Sequence, residues 1–184
     1  MQYMMKILQD VQSVTNRADT GRKKKMNKLK VKDLGKGGKL LPPAKEGDAG
    51  YDIVTPTDIQ ILPGQRKLIE VGFALEIPDG YVALIKEKSG LAVKKGLQVM
   101  GGVIDAGYRG EIKVCLYNSN LDDSEKFLTE MELHYTKNHN ALTFDRGDKI
   151  AQIIFQKVET PKIEMVEELS KSERADTGFG SSGK

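Results

Sequence analysis

The sequence predicts an all-β fold, a barrel or sandwich of short strands with one short helix. Apolar and polar residues alternate over short stretches, and turn signals such as Pro63-Gly64 and Asp79-Gly80 separate these stretches. Only residues 89–96 favour a helix. With 184 residues and 39% hydrophobic content, the chain suits one domain with an adequate core. No apolar run approaches the length of a membrane span, so no membrane partner is expected.

Charge is distributed unevenly along the chain, whose net charge is +3. Residues 1–30 carry eight Lys and Arg against two Asp, which leaves a net charge of −3 on the other 154 residues. This balance argues against nucleic-acid binding by the body of the protein. We interpret residues 1–25 as a flexible basic extension and place the domain start at Met26, which is also a candidate translation start. A basic arm that contacts nucleic acid is the alternative.

The Cys and His residues give little sign of a metal or disulfide framework. Cys115 is the single cysteine and lies in a strand pattern, which fits a packed strand residue in a reducing, cytoplasmic compartment. His134 and His139 lie in an acid-rich insert, residues 119–140. We interpret this insert as a surface loop rather than a metal site.

Alternation and turn residues place the strands on both sides of the predicted helix. Pro63-Gly64 predicts a turn, and Pro78-Asp79-Gly80 predicts a hairpin between the two strands that flank it. Residues 163–169 fit either a final strand or a short helix. The strands are predicted at residues 29–31, 51–54, 59–62, 67–77, 81–86, 142–144 and 150–158, with a Gly/Pro-rich loop over 35–43.

The helix over residues 89–96 is predicted to be capped by Ser89 and ended by Gly96. The stretch 97–118 that follows predicts a β-hairpin. Its tip carries Asp105 and Tyr108, which we expect to face one cavity.

Two adjacent glycines, Gly101 and Gly102, interrupt the first strand of this hairpin. Glycines inside a strand pattern indicate a bulge or a ligand that approaches the backbone closely.

The Gly/Ser-rich tail has the composition of a disordered segment. Its backbone N–H groups and the Arg174 guanidinium suit phosphate, and the Phe179 ring offers a stacking face. We therefore expect the tail to become ordered on a ligand that carries both a ring and phosphates.

Five motifs give the chain a specific likeness. In the same order along the chain, they resemble the five motifs of the trimeric deoxyuridine triphosphatases (dUTPases), and they span roughly residues 49–183. They are Ala49-Gly50-Tyr51-Asp52-Ile53, Ser89-Gly90-Leu91-Ala92, Gly102-Val103-Ile104-Asp105-Ala106-Gly107-Tyr108-Arg109-Gly110, Arg146-Gly147-Asp148-Lys149-Ile150-Ala151-Gln152 and Gly178-Phe179-Gly180-Ser181-Ser182-Gly183.

The resemblance implies a distorted, jelly-roll-like β-barrel and a homotrimer whose three active sites are shared between subunits. The barrel domain would span residues 26–170, with a flexible lid over residues 171–184. The implied reaction is Mg²⁺-dependent hydrolysis of dUTP to dUMP and pyrophosphate, which keeps uracil out of DNA and supplies dUMP for thymidylate synthesis.

The resemblance also implies roles for individual residues. Asp105 would be the general base that activates water, an effect typically of ~10²–10⁴-fold. Tyr108 would lie beneath the deoxyribose and exclude a 2′-hydroxyl. Main-chain groups around Gly101, Gly102 and Val103 would recognise uracil, and overfilling by the thymine methyl would cost ~1–3 kcal/mol. Phosphates would be bound by Lys88, Ser89, Gly90 and Gln152. The lid would be closed by Arg174, Phe179, Gly180, Ser181 and Ser182. The supporting carboxylates would be Asp52 and Asp148, although Asp148 fits a turn residue equally well.

Several positions depart from the family pattern. Glu87-Lys88 stands where the family usually has Pro-Arg, Lys149 replaces the usual Arg, and Ala175 replaces the usual Gly. Lysine lacks the planar fork of arginine, so we expect activity with a raised KM.

Two alternative functions remain open at this point. A dCTP deaminase shares the fold, but its reaction calls for a catalytic glutamate and an Arg-Ser-Ser type motif. A nucleotide-dependent switch would instead use the insert over residues 119–140 to contact a regulatory protein.

Overall fold

The computed structural model describes residues 28–120 and 140–172. Within these ranges the fold is mostly β, as the alternation predicts. The strands are β1 (Lys30–Asp33), β2 (Lys39–Leu41), β3 (Tyr51–Val54), β4 (Ile59–Ile61), β5 (Arg66–Glu76), β6 (Tyr81–Lys86), β7 (Leu97–Met100), β8 (Val103–Ile104), β9 (Glu111–Asn118), β10 (Leu142–Phe144) and β11 (Lys149–Lys157), and the helix is α1 (Ser89–Lys95).

The strands form three antiparallel sheets around one core. The sheets have the orders β1-β5-β9-β7, β2-β3-β11-β6-β8 and β10-β4. The side chains of Ile112, Val114 and Leu116 on β9 are fully buried, as the two-residue period of a strand requires. Cys115 alternates with them and is partly buried, so it lies on the face of β9 opposite these fully buried side chains.

The turn at residues 78–80 does not make the predicted hairpin. The Tyr81 N–H donates to the Pro78 carbonyl at 3.2 Å, which confirms a turn. However, β5 before it and β6 after it belong to different sheets. The turn therefore carries the chain across the core instead of joining neighbouring strands.

Two other local predictions are wrong. The segment 35–43 was expected to be a loop but includes β2, whose Leu40 lies opposite Ile53 of β3. Residues 163–169 form neither a strand nor a helix. Ile163 and Met165 there are 83% and 89% exposed, so they gain none of the burial that stabilises a short element.

The helix α1 ends as predicted and begins differently. Gly96 has a left-handed φ of 63°, and its N–H donates to the Ala92 carbonyl at 3.1 Å. At the other end Lys88, with an extended backbone, is the N-cap residue, and no side chain caps the helix. Ser89 is the first helical residue because the Lys88 carbonyl already accepts the first helical N–H bonds, from Leu91 and Ala92.

The part of the chain that the structure describes contains no helix with the length and apolar character needed to cross a membrane.

Candidate active site

The predicted hairpin is correct for β7 and β9 but not for β8. Met100 at the end of β7 lies opposite Cys115 of β9. Gly101 then adopts a positive φ of 64°, which glycine allows at little cost, and the chain leaves this sheet. Residues 103–104 pair with β6 of the five-stranded sheet, where Ile104 lies opposite Ala83.

Gly102 lies at the crossing between the two sheets. The Ile85 N–H donates to the Gly102 carbonyl at 2.7 Å. A Cβ atom on Gly102 would lie 2.2 Å from the Ile85 carbonyl oxygen, so this position needs glycine. The close approach predicted here is therefore made by the backbone of β6. Val103, the next residue, is 65% exposed on the edge strand β8.

Asp105 and Tyr108 lie together on one exposed turn after β8. The Tyr108 N–H donates to the Asp105 carbonyl at 3.1 Å. The Tyr108 hydroxyl donates to the Glu111 carbonyl at 2.9 Å, and its side chain remains 41% exposed. Both residues are exposed in the described part of the single chain.

A cavity of about 480 Å³ lies elsewhere on the surface, and none of the predicted site residues lines it. It is lined by Lys36, Pro56, Thr57, Asp58, Lys67, Leu68, Ile69 and Glu70.

Asp52 joins the first and fourth motifs and the residue that precedes the second. Its Oδ1 atom accepts a hydrogen bond from the Lys88 ammonium group, and its Oδ2 atom accepts one from Lys149 at 2.8 Å. The carboxylate is only 13% exposed. Partial burial tends to raise the pKa of Asp52, but the hydrogen bonds and charges of Lys149 and Lys88 together outweigh it and hold the pKa below its ordinary value.

Gln152 lies beside this ion-pair cluster because it is opposite Asp52 in the β11–β3 register. Its Nε2 atom donates to the Glu87 carbonyl at 3.0 Å. A Cβ atom on Gly50 would lie 2.1 Å from the Gln152 Oε1 atom, so Gly50 leaves the space that the amide occupies. Gly50 and Lys149 lie within the motifs, but their place beside Asp52 and Gln152 depends on the fold and is not evident from the sequence.

Asp148 has a structural role in its own turn. Its Oδ2 atom accepts from the Asp145 N–H at 3.0 Å, and its carbonyl accepts from the Thr55 N–H at 2.9 Å. These bonds fit the interpretation of Asp148 as a turn residue, which the sequence left open.

The remaining predicted site residues divide into two groups. Ser89 and Gly90 are exposed at the start of α1, next to Lys88. The predicted lid residues lie outside the described residues, and these are Arg174, Phe179, Gly180, Ser181 and Ser182.

The lowered pKa of Asp52 predicts a contribution to acid sensitivity. The folded protein releases this proton more readily than the unfolded chain, whose reference value is 3.8. The stabilisation is therefore present above the unfolded pKa and is lost as the pH falls through the lower folded pKa. We expect Asp52→Asn to be less stable than the wild type at pH 7, with the two stabilities converging in acid, as measured by urea midpoints.

A carboxylate on an exposed turn provides the control for this experiment. Asp79→Asn is expected to change the urea midpoint at pH 7 much less than Asp52→Asn does, because Asp79 is exposed. Parallel pH curves for Asp52→Asn and the wild type would contradict the assigned linkage.

Comparison with known proteins places these motifs in a family context. A family model described as dUTPase matches residues 36–125 and 133–183. The chain is 42% identical over 158 residues to the deoxyuridine 5′-triphosphate nucleotidohydrolase of Corynebacterium glutamicum, covering 85% of this chain and 95% of that protein. It is 44% identical over 142 residues to the enzyme of the same name from Rhodococcus erythropolis, covering 76% of each chain.

Solved structures show the same likeness. The dUTPase of Staphylococcus bacteriophage 80alpha with dUpNHpp matches with a TM-score of 0.73 and 32% identity, covering 86% of this chain and 99% of that chain. A mutant dUTPase from phage phi11 of S. aureus, described with a structural Mg(II) ion, matches with a TM-score of 0.68 and 27% identity, covering 79% of this chain and 100% of that chain.

Proposed function

Because the chain belongs to the dUTPase family, we propose that it hydrolyses dUTP to dUMP and pyrophosphate. The observation that carries this conclusion is the family match over residues 36–125 and 133–183, which includes all five motifs. The arrangement of residues in and beside the motifs supports it, since Asp52, Lys88 and Lys149 meet in one ion-pair cluster.

Asp105 is the general base in this proposal. Its position on an exposed turn leaves the carboxylate accessible to a water molecule. Asp105 accepts a proton from that water as the oxygen attacks the α-phosphorus atom. The bond between the α-phosphorus and the bridging oxygen breaks, and pyrophosphate leaves with the electron pair.

Recognition of the base is assigned to the main-chain groups around Gly101, Gly102 and Val103, and recognition of the sugar is assigned to the Tyr108 ring. Val103 lies on the edge strand β8, and an edge strand has backbone groups that can pair with a planar base. The bond between Ile85 and Gly102 fixes the position of this edge. Tyr108, on the turn that follows, is assigned to the underside of the deoxyribose.

Phosphate binding is assigned to residues around the Asp52 cluster and to the lid. Lys88 supplies the charge, and its ion pair with Asp52 holds its ammonium group in place. Ser89, Gly90 and Gln152 provide neutral hydrogen-bonding groups around it. Arg174, Phe179, Gly180, Ser181 and Ser182 are assigned to close over the nucleotide and exclude water.

The donor chemistry of the site fits Mg²⁺ bound through the nucleotide. Mg²⁺ commonly keeps several waters and is held by substrate phosphates with few protein ligands. Both oxygens of Asp52 already accept bonds from lysine ammonium groups, so we assign Asp52 to support rather than to direct ligation. When bound, the ion would neutralise charge on the triphosphate.

We further propose that the protein is a homotrimer with active sites shared between subunits, in a reducing cytoplasm. The exposure of Asp105 and Tyr108 in the single chain supports this assembly, since a neighbouring subunit would enclose them. Light scattering of the purified protein tests the oligomeric state, and a monomeric mass with full activity would contradict it.

The test of the activity is pyrophosphate release with Mg²⁺ from dUTP, dTTP, UTP and dCTP. Selective turnover of dUTP is expected. Equal turnover of all four nucleotides would contradict base and sugar recognition by Gly101, Gly102, Val103 and Tyr108. Release of ammonia from dCTP would instead favour a dCTP deaminase.

A nucleotide-dependent switch remains a second candidate function. The 80alpha dUTPase is described as controlling transfer of virulence genes by a G protein-like mechanism, and the present chain is similar to it in structure. The contact in this chain is assigned to the insert over residues 119–140, of which residues 121–139 lie outside the described ranges. Deletion of residues 121–139 with unchanged turnover, but with loss of a protein partner, would support the switch.

A further inference from the structure

The turn that carries Asp105 and Tyr108 is fixed to the rest of the fold at both ends. Before the turn, Ile104 pairs with Ala83 of β6. After the turn, Glu111 begins β9, and its side chain is only 14% exposed. A carboxylate buried to this extent requires partners, and Glu111 has two.

The two oxygens of Glu111 bind two separate segments. Oε1 accepts from the Gly72 N–H at 2.8 Å, and Oε2 accepts from the Lys36 ammonium group at 2.6 Å. Gly72 lies where the pairing of β5 with β9 shifts register, and it has a positive φ of 74°. Glu111 therefore anchors the start of β9 to the irregular part of β5 and to the loop that contains Lys36.

The backbone of Glu111 also holds the Tyr108 side chain. Its hydroxyl donates to the Glu111 carbonyl at 2.9 Å. To reach that carbonyl the ring folds over Gly110, where a Cβ atom would lie 2.5 Å from the hydroxyl oxygen and 2.7 Å from Cζ. The observed position of the Tyr108 ring thus depends on the absence of a side chain at Gly110.

We propose that Gly110 and Glu111 are positioning residues that set the sugar selectivity of the enzyme through Tyr108. The inference rests on the proposed function, in which Tyr108 lies beneath the deoxyribose. Gly110 provides the space for the ring, and Glu111 fixes the carbonyl that holds its hydroxyl. Neither residue needs to touch the substrate to act in this way.

The test measures kcat/KM for dUTP and for UTP in variants of the full-length protein. Gly110→Ala displaces the ring, so the ratio of dUTP to UTP is expected to fall about ten- to hundredfold, the scale of a 1 Å misplacement. Glu111→Gln keeps one acceptor oxygen and loses the charge, so a smaller fall of about three- to tenfold is expected.

Gly107→Ala is the matched control for Gly110→Ala. Gly107 lies in the same turn, but a Cβ atom there would meet open space. Its selectivity is expected to stay within about twofold of the wild type. Equal selectivity in Gly110→Ala and Gly107→Ala would overturn the proposal.

A double-mutant cycle separates action through Tyr108 from general destabilisation. In a Tyr108→Ala background, Gly110→Ala is expected to leave the selectivity unchanged, because the ring that it displaces is missing. A further fall in that background would overturn the proposal.

Melting temperatures identify variants that fail to fold. If Gly110→Ala does not fold, Glu111→Gln becomes the deciding variant, and wild-type selectivity in Glu111→Gln overturns the proposal. A wild-type protein that does not hydrolyse dUTP would instead defeat the proposed function itself.

Discussion

Asp105→Asn is expected to lower kcat for dUTP by about 10²–10⁴-fold, the range that a positioned general base contributes. The amide has nearly the shape of the carboxylate but cannot accept the proton of the attacking water. The turn should persist in the variant because the bond from the Tyr108 N–H uses the main-chain carbonyl of Asp105. Pyrophosphate release and calorimetric titration with a non-hydrolysable dUTP analogue measure catalysis and binding separately.

The pattern of effects distinguishes the base from a binding residue. We expect the affinity for the analogue to change much less than kcat. Asp79→Asn, in the exposed turn before β6, is the matched control and should keep wild-type kinetics. Near-normal kcat in Asp105→Asn would contradict the assigned role.

Asn118→Ala is expected to lower the free energy of unfolding by about 2–4 kcal/mol, because three hydrogen bonds of a fully buried side chain are lost. The Asn118 Nδ2 atom donates to the carbonyls of Ile61 and Asn140 at 2.9 and 3.0 Å. Its Oδ1 atom accepts from the Asn120 N–H at 3.1 Å. The variant leaves these partners without the amide, and urea titration measures the loss.

Asn120→Ala is the matched control for this prediction. The Asn120 side chain donates to the Lys95 carbonyl at 2.9 Å in an exposed position, and its backbone bond to Asn118 would survive the substitution. A loss within about 1 kcal/mol is therefore expected. Similar unfolding midpoints for the two variants would show that burial of Asn118 does not determine its contribution.

The sequence predicted features that depend on local patterns. The strand Tyr81–Lys86 was predicted with the observed bounds, since alternation and the preceding turn both act within a few residues. The end of α1 at Gly96 could also be predicted from local sequence, because the helix ends where one glycine adopts the left-handed conformation. The family likeness rests on motifs of four to nine residues, so it too was accessible before the structure.

Features that depend on long-range packing were not predicted. Val103 and Ile104 pair with β6 and not with β9. Predicting this partner requires knowing which sheet lies beside the chain where it leaves β7 at Gly101. The meeting of Lys88 and Lys149 at Asp52 joins residues far apart in the chain. The sequence around Asn118 does not predict its importance for stability, because only the fold shows that its side chain is buried and has three hydrogen-bond partners.

Under the proposed function, the crossing at Gly101 and Gly102 links base recognition to the packing of two sheets. The same short segment is covalently continuous with β7 in one sheet and hydrogen-bonded to Ile85 in another. Any partial separation of the two sheets therefore stretches this two-residue connection, and isotope exchange of the Ile85 amide hydrogen is expected to report it. Heat or denaturant that loosens the packing between these sheets should lower nucleotide discrimination before the chain unfolds globally, which would make substrate selectivity an early indicator of structural damage.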